Sequence, residues 1–344
     1  MPRGRKKKTE KVVEEKNEAD EVKAYLNKML GGGAVQILNT VGGTKVESIP
    51  TGSLALDHKV IASGGIPRGR ITEIYGPEQG GKTTLCLHLI AHALQPEDAL
   101  AAFIDAEHSL NPEYCESLGI DLSRMMFIQP DSGEDAFEAV EEMCKTGKIS
   151  LIVIDSVAAL TPRQELEADV GQVRPGAQAR MMSQNLRRLT SLINQSNTAV
   201  VFINQLRHKI GGYGNPETTA GGNALKFYSS LRLDVRKIGA IKKGDEQTGN
   251  RVRIKCVKNK MAPPFKYVEL DLIFGEGIST RAELVDFGVA CKVILKSGSW
   301  YSIDVDGEVT KIGQGRDKVL DFLDAHPVLV EHVREKVKEY LCAK

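Results

Sequence analysis

Residues 76–83 read Gly76-Pro77-Glu78-Gln79-Gly80-Gly81-Lys82-Thr83, followed by Thr84, and this stretch decides the fold. It satisfies G-x-x-x-x-G-K-[ST] and sits between an apolar run at 71–75 that reads as a strand and one at 85–94 that reads as a helix. Glycines let successive backbone N–H groups turn inward around a phosphate, and the following helix adds the positive end of its dipole. In that setting the Lys82 ammonium reaches the β- and γ-phosphates of a nucleotide such as ATP, and the Thr83 hydroxyl coordinates Mg²⁺. A Gly-rich turn alone could be a structural loop; Lys-Thr between a strand and a helix favours nucleotide binding.

Further apolar runs at 101–105, 151–155 and 198–204 alternate with amphipathic stretches, the pattern of a parallel sheet covered by helices. Runs at 231–238, 251–257 and 267–273 have no long helix between them and predict antiparallel hairpins, so the expected sheet is mixed and mostly parallel. Leu151-Ile152-Val153-Ile154-Asp155 reads as a buried strand ending in a carboxylate suited to hold Mg²⁺ through its water shell. Strands also end in Asp for turn reasons, so Asp155 gains that meaning only beside the phosphate loop. In Phe103-Ile104-Asp105-Ala106-Glu107-His108, Glu107 lies just past a strand end, where it either activates a water near the γ-phosphate or is a surface loop glutamate. His108 reads as an ordinary hydrogen-bonded histidine. Gln205 ends another apolar strand and is able to sense a phosphate and report its loss to the loop that follows.

That loop, with Arg207, His208, Lys209, Ile210, Gly211, Gly212, Tyr213 and Gly214, mixes cations, glycines and an apolar–aromatic pair, which suits gripping phosphates and stacking or wedging between bases. A second loop at 169–176 precedes a helix on which Arg180 and Arg187 share a face, with Met182, Leu186, Leu189 and Ile193 as its buried stripe. Two arginines on a helix face are usually just solvated, so their reading rests on the neighbouring loops.

The 344 residues are about twice the ~150-residue domain norm. Hydrophobic residues at 41% and charged ones at 26% exclude collagen-like and wholly disordered chains. No apolar run has the ~18 residues of a membrane helix, the N-terminus opens with charge, and the expectation is a cytoplasmic protein. Six widely spaced cysteines without a C-x-x-C pair read as reduced structural thiols. With 46 basic and 45 acidic side chains the net charge of +1 neither demands nor forbids a nucleic acid. Residues 1–17 form a basic arm, expected to be disordered, that is either a solvated tail or an auxiliary phosphate contact. Residues 18–47 hold a short helical stripe (Val22, Leu26, Met29) before Gly31-Gly32-Gly33. The core is expected at 48–277 and a small C-terminal α/β domain at 278–344, with helices at 317–324 and 328–341 and a strand-like Trp300-Tyr301 before them.

The chain closely resembles the bacterial RecA recombinases from about Ser48 to Lys311, through strings such as GPEQGGKTT, FIDAEHSLNPEY, DSVAALTPR, ARMMSQ, FINQ, GNPETTAGGNALKFY and VKNKMAPPF. The resemblance implies a P-loop RecA-type ATPase core, an N-terminal segment that packs on a neighbouring protomer, and a C-terminal domain that helps admit duplex DNA. It implies a DNA-dependent ATPase acting in recombination, repair and the SOS response, which forms a helical homo-polymer on single-stranded DNA and exchanges strands with duplex, with loader or regulator proteins as further partners. By position, Tyr114 resembles the residue that stacks on adenine, Glu107 the general base and Gln205 the γ-phosphate sensor. The segments 169–176 and 207–218 resemble the DNA-binding loops, with Ile210 as wedge, Arg180, Ser183 and Arg187 on the contacting helix, and Gly221, Gly222 and Asn223 within the matched string. Lys258 and Lys260, on one face if their strand continues, resemble the pair that reaches into the next protomer's ATP. Phe227 resembles an interface residue linking nucleotide state to filament state.

The phosphate loop carries Gln79-Gly80 where two serines are common, the second DNA loop is slightly shorter than usual, and the first reads Gln172-Val173-Arg174-Pro175-Gly176. The chain closes Tyr340-Leu341-Cys342-Ala343-Lys344 without the usual acidic tail, which predicts weaker self-inhibition toward duplex DNA. These departures hint at a divergent or phage-encoded member. Two rivals remain at this point. One is a hexameric helicase-like motor of the same superfamily, the other a DNA-coating protein that binds ATP without turnover; the string 214–228 and the Lys258/Lys260 pair favour a filament, and Lys82, Glu107 and Asp155 favour a live site.

Overall fold

The computed structural model describes residues 18–31, 35, 37, 46–169, 176–208, 217–305 and 308–343. Chain contacts divide it into two units, 1–46 and 47–344. Within the first, α1 (Glu18–Leu30) carries acidic residues in its first turn and Lys28 in its last, the polarity its dipole favours. Val22, Tyr25, Met29 and Leu30 are exposed on it. Asn27 exchanges two hydrogen bonds with the backbone of Val35.

The second unit runs β1 (Ser48–Ile49), β2 (Ile66–Pro67), β3 (Ile71–Gly76), α2 (Lys82–Ala93), β4 (Leu100–Asp105), α3 (Pro112–Ser117), β5 (Met125–Ile128), α4 (Gly133–Thr146) and β6 (Ile149–Asp155). It continues with α5 (Arg163–Leu166), α6 (Ala177–Ser196), β7 (Ala199–His208), β8 (Glu217–Thr219), α7 (Ala224–Tyr228), β9 (Leu231–Lys243), β10 (Glu246–Asn259), β11 (Tyr267–Ile273) and β12 (Gly277–Ile278). A C-terminal region holds α8 (Thr280–Ala290), β13 (Ile294–Ser297), β14 (Trp300–Val305), β15 (Glu308–Gln314), α9 (Arg316–Asp324) and α10 (Pro327–Cys342).

The main sheet has the order β12-β11-β10-β9-β3-β7-β6-β4-β5, with β8 added on β7. Strands β9, β3, β7, β6, β4 and β5 pair in parallel, and β9 to β12 pair antiparallel. The expected mixed, mostly parallel α/β sheet is therefore present, and the C-terminal region adds an antiparallel β13-β14-β15 sheet. Central strands bury both faces, and their side chains alternate between two cores. Phe103, Val153, Val201 and Ile203 face the layer of α2, whereas Ile104, Ile152, Ile154, Val200 and Phe202 face α4 and α6. Met182, Leu186, Leu189 and Ile193 fill that second layer as the periodicity predicts. Burying each such side chain contributes roughly 1.5–3 kcal/mol.

Several elements exceed their sequence-based bounds, because pairing continues past the apolar run. β9 and β10 extend as a polar hairpin to Lys243 and Glu246, and β7 continues through Gln205 because β8 pairs with it. Short β5 and the α4 that follows it carry weaker apolar signals; α4 is defined by a capping box in which Ser132 and Asp135 satisfy each other's backbone N–H. All six cysteines are unpaired, as expected, and no helix among the described residues is long and apolar enough to cross a membrane.

Candidate functional site: the strand ends around the phosphate loop

Six parallel strands deliver their C-terminal ends to one edge of the sheet, and three of them carry the acid and amide groups of interest: Asp105 on β4, Asp155 on β6 and Gln205 on β7. The phosphate loop leaves β3 beside them. Gly76 must be glycine here, since a Cβ would stand 2.0 Å from the Val235 carbonyl oxygen. Gly81 caps α2 with φ +89 and Gln79 has φ 55, so the loop curls tightly before Lys82 begins the helix.

Lys82 is buried and its Nζ donates to Pro77 O at 2.7 Å, arching over its own loop. Burial lowers its pKa, and the nearby Asp155 and Glu107 carboxylates oppose that shift. Thr83 Oγ1 donates to Asp155 Oδ2 at 2.7 Å. Burial pushes the Asp155 carboxyl up to about 6; the Thr83 bond and Lys82 pull down, and Glu107 adds to the rise. A hydroxyl and a carboxylate side by side are oxygen donors that fit a hard divalent cation. Among the described residues there is no cluster of three or more His, Cys, Asp or Glu able to hold a metal, so such an ion would take its remaining ligands from phosphate and water.

Glu107 and Gln205, far apart in sequence, meet: Gln205 Nε2 donates to Glu107 Oε1 at 2.7 Å. Ser156 Oγ donates to the same oxygen. Tyr114 rests on α3, whose cap Asn111 accepts from Glu113 N and Tyr114 N, and its hydroxyl donates to Thr84 Oγ1 at 3.2 Å. One cavity of about 580 Å³ is lined by residues 79–84 and by Tyr114, Lys237, Gln247, Asn250 and Phe274. Of the residues singled out as nucleotide-binding, 79–84 and Tyr114 line this cavity and Asp155 is joined to it through Thr83; Phe274 and Gln247, which their sequence context did not mark, line it as well.

Other groups passed over in the sequence sit directly behind it. Glu73 on β3 is fully buried, accepts from Asn204 Nδ2 at 2.9 Å and pairs with Arg232 of β9. Asn204 Nδ2 also reaches Ala220 O at 3.1 Å, its Oδ1 accepts from Gln205 N at 2.9 Å, and Ala220 N donates to Gln205 O. The chain returning after β8 is thus tied to Gln205 and the residue before it. A charged Glu inside Ile71-Thr72-Glu73-Ile74 was the available signal, because a carboxylate in a buried strand requires a partner.

Arg180 and Arg187 are exposed on α6 with Ser183 half-buried between them. Gly221 and Gly222, at φ +76 and +77, pack on that helix: an added Cβ would stand 3.3 Å from Met182 Cγ (and 2.8 Å from Val157 Cγ1, after β6) in the first case and 2.8 Å from Ala179 Cβ in the second. Asn223 follows and accepts from Lys226 Nζ at 3.2 Å. Arg207 lies on β7 opposite Thr218. Lys209, Ile210, Gly211, Gly212 and Tyr213, the loop residues 170–175 and the arm 1–17 lie outside the described residues.

Phe227 on α7 is 73% exposed. Lys258 Nζ donates to Lys226 O at 2.7 Å and Phe227 O at 3.1 Å, so it caps the helix that presents this ring. β10 ends at Asn259, one residue short of Lys260, whose N–H bonds the carbonyl oxygen of Ser230, the residue before β9. The condition for both lysines to share a strand face, a strand that continues, is thus not met at Lys260.

Comparisons with known proteins agree with this architecture. Residues 18–279 match the RecA N-terminal domain family and 282–342 the RecA C-terminal domain family. The chain is 51% identical over 318 residues to Protein RecA of Nautilia profundicola, covering 92% of this chain and 89% of that one. It is 50% identical over 317 residues to Protein RecA of Caulobacter vibrioides, with 92% and 87% covered. For Protein RecA of Methylococcus capsulatus the identity is 52% over 318 residues, with 92% and 90% covered.

Proposed function

The chain belongs to the RecA family and is a recombinase and DNA-dependent ATPase, and on that premise we propose how its residues divide the work. The nucleotide is ATP with Mg²⁺. Backbone N–H groups of residues 78–84 cradle the phosphates, Lys82 swings from Pro77 O to the β- and γ-phosphates, and Tyr114 stacks on adenine. Thr83 and Asp155 would hold the cation, which when bound would neutralise charge on the phosphate oxygens. Glu107 takes the proton of the attacking water through the carboxylate oxygen not engaged by Gln205 and Ser156.

The observation that carries this reading is the Gln205–Glu107 hydrogen bond, since it joins the strand that roots the second DNA loop to the carboxylate beside the phosphates. Arg180, Ser183 and Arg187, with the glycine pair and Asn223 and the segments 169–176 and 207–218, form the single-strand surface. Contacts there go to backbone and stacked bases, and sequence is read by base pairing. The polymer places Phe227, Lys258 and Lys260 at the protomer boundary next to the neighbour's ATP, and Lys258 sets the pose of Phe227. We assign 1–17 to a basic arm, 18–47 to an oligomerisation segment, 48–277 to the ATPase core and 278–344 to a domain that admits duplex, and we place the protein's action in the cytoplasm.

The test is ATP hydrolysis by the purified protein with and without single-stranded DNA at one stated salt concentration. Strong stimulation, followed by strand exchange with a homologous duplex, is expected. Hydrolysis indifferent to DNA would mark a different ATPase, and ATP-dependent DNA binding without hydrolysis a passive coat.

A further inference from the structure

The cavity lined by the phosphate loop is also walled by the end of β11 and the turn from β11 to β12. Phe274, 56% exposed, lines the cavity from this turn together with Tyr114. Two side chains tether the turn to neighbouring helices. Ser117, at the end of the helix that carries Tyr114, has its hydroxyl 3.0 Å from Gly275 O and 2.8 Å from Tyr114 O. His88, on the helix that begins at Lys82, accepts the Ile278 N–H on its Nε2 at 2.8 Å.

The fit around His88 is tight on both sides. A Cβ on Gly277, whose φ is +80, would stand 2.1 Å from His88 Nε2, and one on Gly52, at φ +90, 2.8 Å from His92 Nε2 and 3.7 Å from His88 Nδ1. Accepting through Nε2 requires the neutral tautomer with its proton on Nδ1. Burial, and secondarily His92 one turn along, lowers the His88 pKa to about 4, so the acceptor lone pair is kept at neutral pH. The tethered strand then leads straight into α8: Ser279 N bonds Asp271 O, and the Ser279 hydroxyl accepts from Ala282 N to cap that helix.

We infer that His88, seconded by Ser117, is a positioning residue of the nucleotide site: it fastens the 274–278 turn to the phosphate-loop helix and so sets where Phe274 meets the nucleotide. His88 touches no substrate atom and acts through Ile278. The inference rests on the reading of this cavity as the ATP site.

Two readouts test it on the full-length protein: Kd for a fluorescent ATP analogue, and KM and kcat for ATP with single-stranded DNA. His88→Ala is expected to raise Kd and KM about threefold to tenfold, the effect of one lost hydrogen bond, with kcat within about twofold of the parent. His88→Gln, whose side-chain carbonyl can accept the Ile278 N–H, is expected to restore both. Ser117→Ala, a change at an exposed position that leaves the core intact, is expected to raise Kd in the same direction, and it decides the matter if His88→Ala does not fold. Unchanged Kd in Ser117→Ala together with unchanged Kd in His88→Ala or its failure to fold, or equal loss of kcat and affinity in His88→Ala and His88→Gln, would overturn the inference. Failure of the parent protein to bind the analogue would instead sink the assignment of the cavity.

Discussion

Gln205 Nε2 donates to Glu107 Oε1 across 2.7 Å, although Gln205 lies on β7, Glu107 lies in the bend after β4, and the two are 98 positions apart. The bond joins Glu107, the proposed proton acceptor, to the strand that leads into the segment proposed as the second DNA loop. If Glu107 is the proton acceptor, Glu107→Gln should still bind ATP and DNA while phosphate release falls about 10²- to 10⁴-fold. Turnover equal to the parent's would remove Glu107 from that role.

Lys82→Ala removes the ammonium arched over the phosphate loop. Loss of ATP-dependent assembly on single-stranded DNA is expected, measured by light scattering or electron microscopy with and without nucleotide. Normal assembly and strand exchange would refute the nucleotide assignment.

Glu73→Ala would leave Arg232 and the Asn204 amide largely buried without their carboxylate. Breaking one side of such a buried pair costs about 3–5 kcal/mol, which urea denaturation would read directly. Because Asn204 also holds Ala220 and the Gln205 N–H, the DNA stimulation of hydrolysis should fall in Asn204→Ala even where the fold survives. An unchanged stimulation ratio would show that the loop foot is fixed by other contacts.

Stability should depend on pH through Asp57. Burial pushes this carboxyl up to about 8, against hydrogen bonds from Thr51 and with Glu283 adding to the rise. From the ordinary carboxylate value near 4 up to about 8 the folded state therefore holds a proton that the unfolded chain has lost. The stability contributed by that proton is fully present below about pH 4 and is lost as pH rises through 8, at up to about 1.4 kcal/mol per pH unit. Asp57→Asn is expected to flatten that decline in urea titrations at pH 5, 6.5 and 8. The same slope in the variant would assign the proton elsewhere, with Glu283, also raised by burial, as the first place to look.

The local pattern of the chain determined a great deal. G-x-x-x-x-G-K-T between a strand and a helix, and apolar runs ending in Asp105, Asp155 and Gln205, depend only on short-range geometry: where a strand stops, its last side chain leaves the sheet at the same edge as its parallel neighbours. Phosphate loop, strand ends and the α6 stripe were legible for that reason. The partnerships were not. Ser156 on Glu107, Asn204 on Glu73 and Ala220, Lys258 on the helix of Phe227, and His88 on Ile278 each join atoms far apart in sequence or hidden by a short strand end, and a residue type alone does not say which of several buried groups will meet it. Only strand order and register, which set whose side chain stands beside whose, decided those contacts and showed that β10 stops between Lys258 and Lys260.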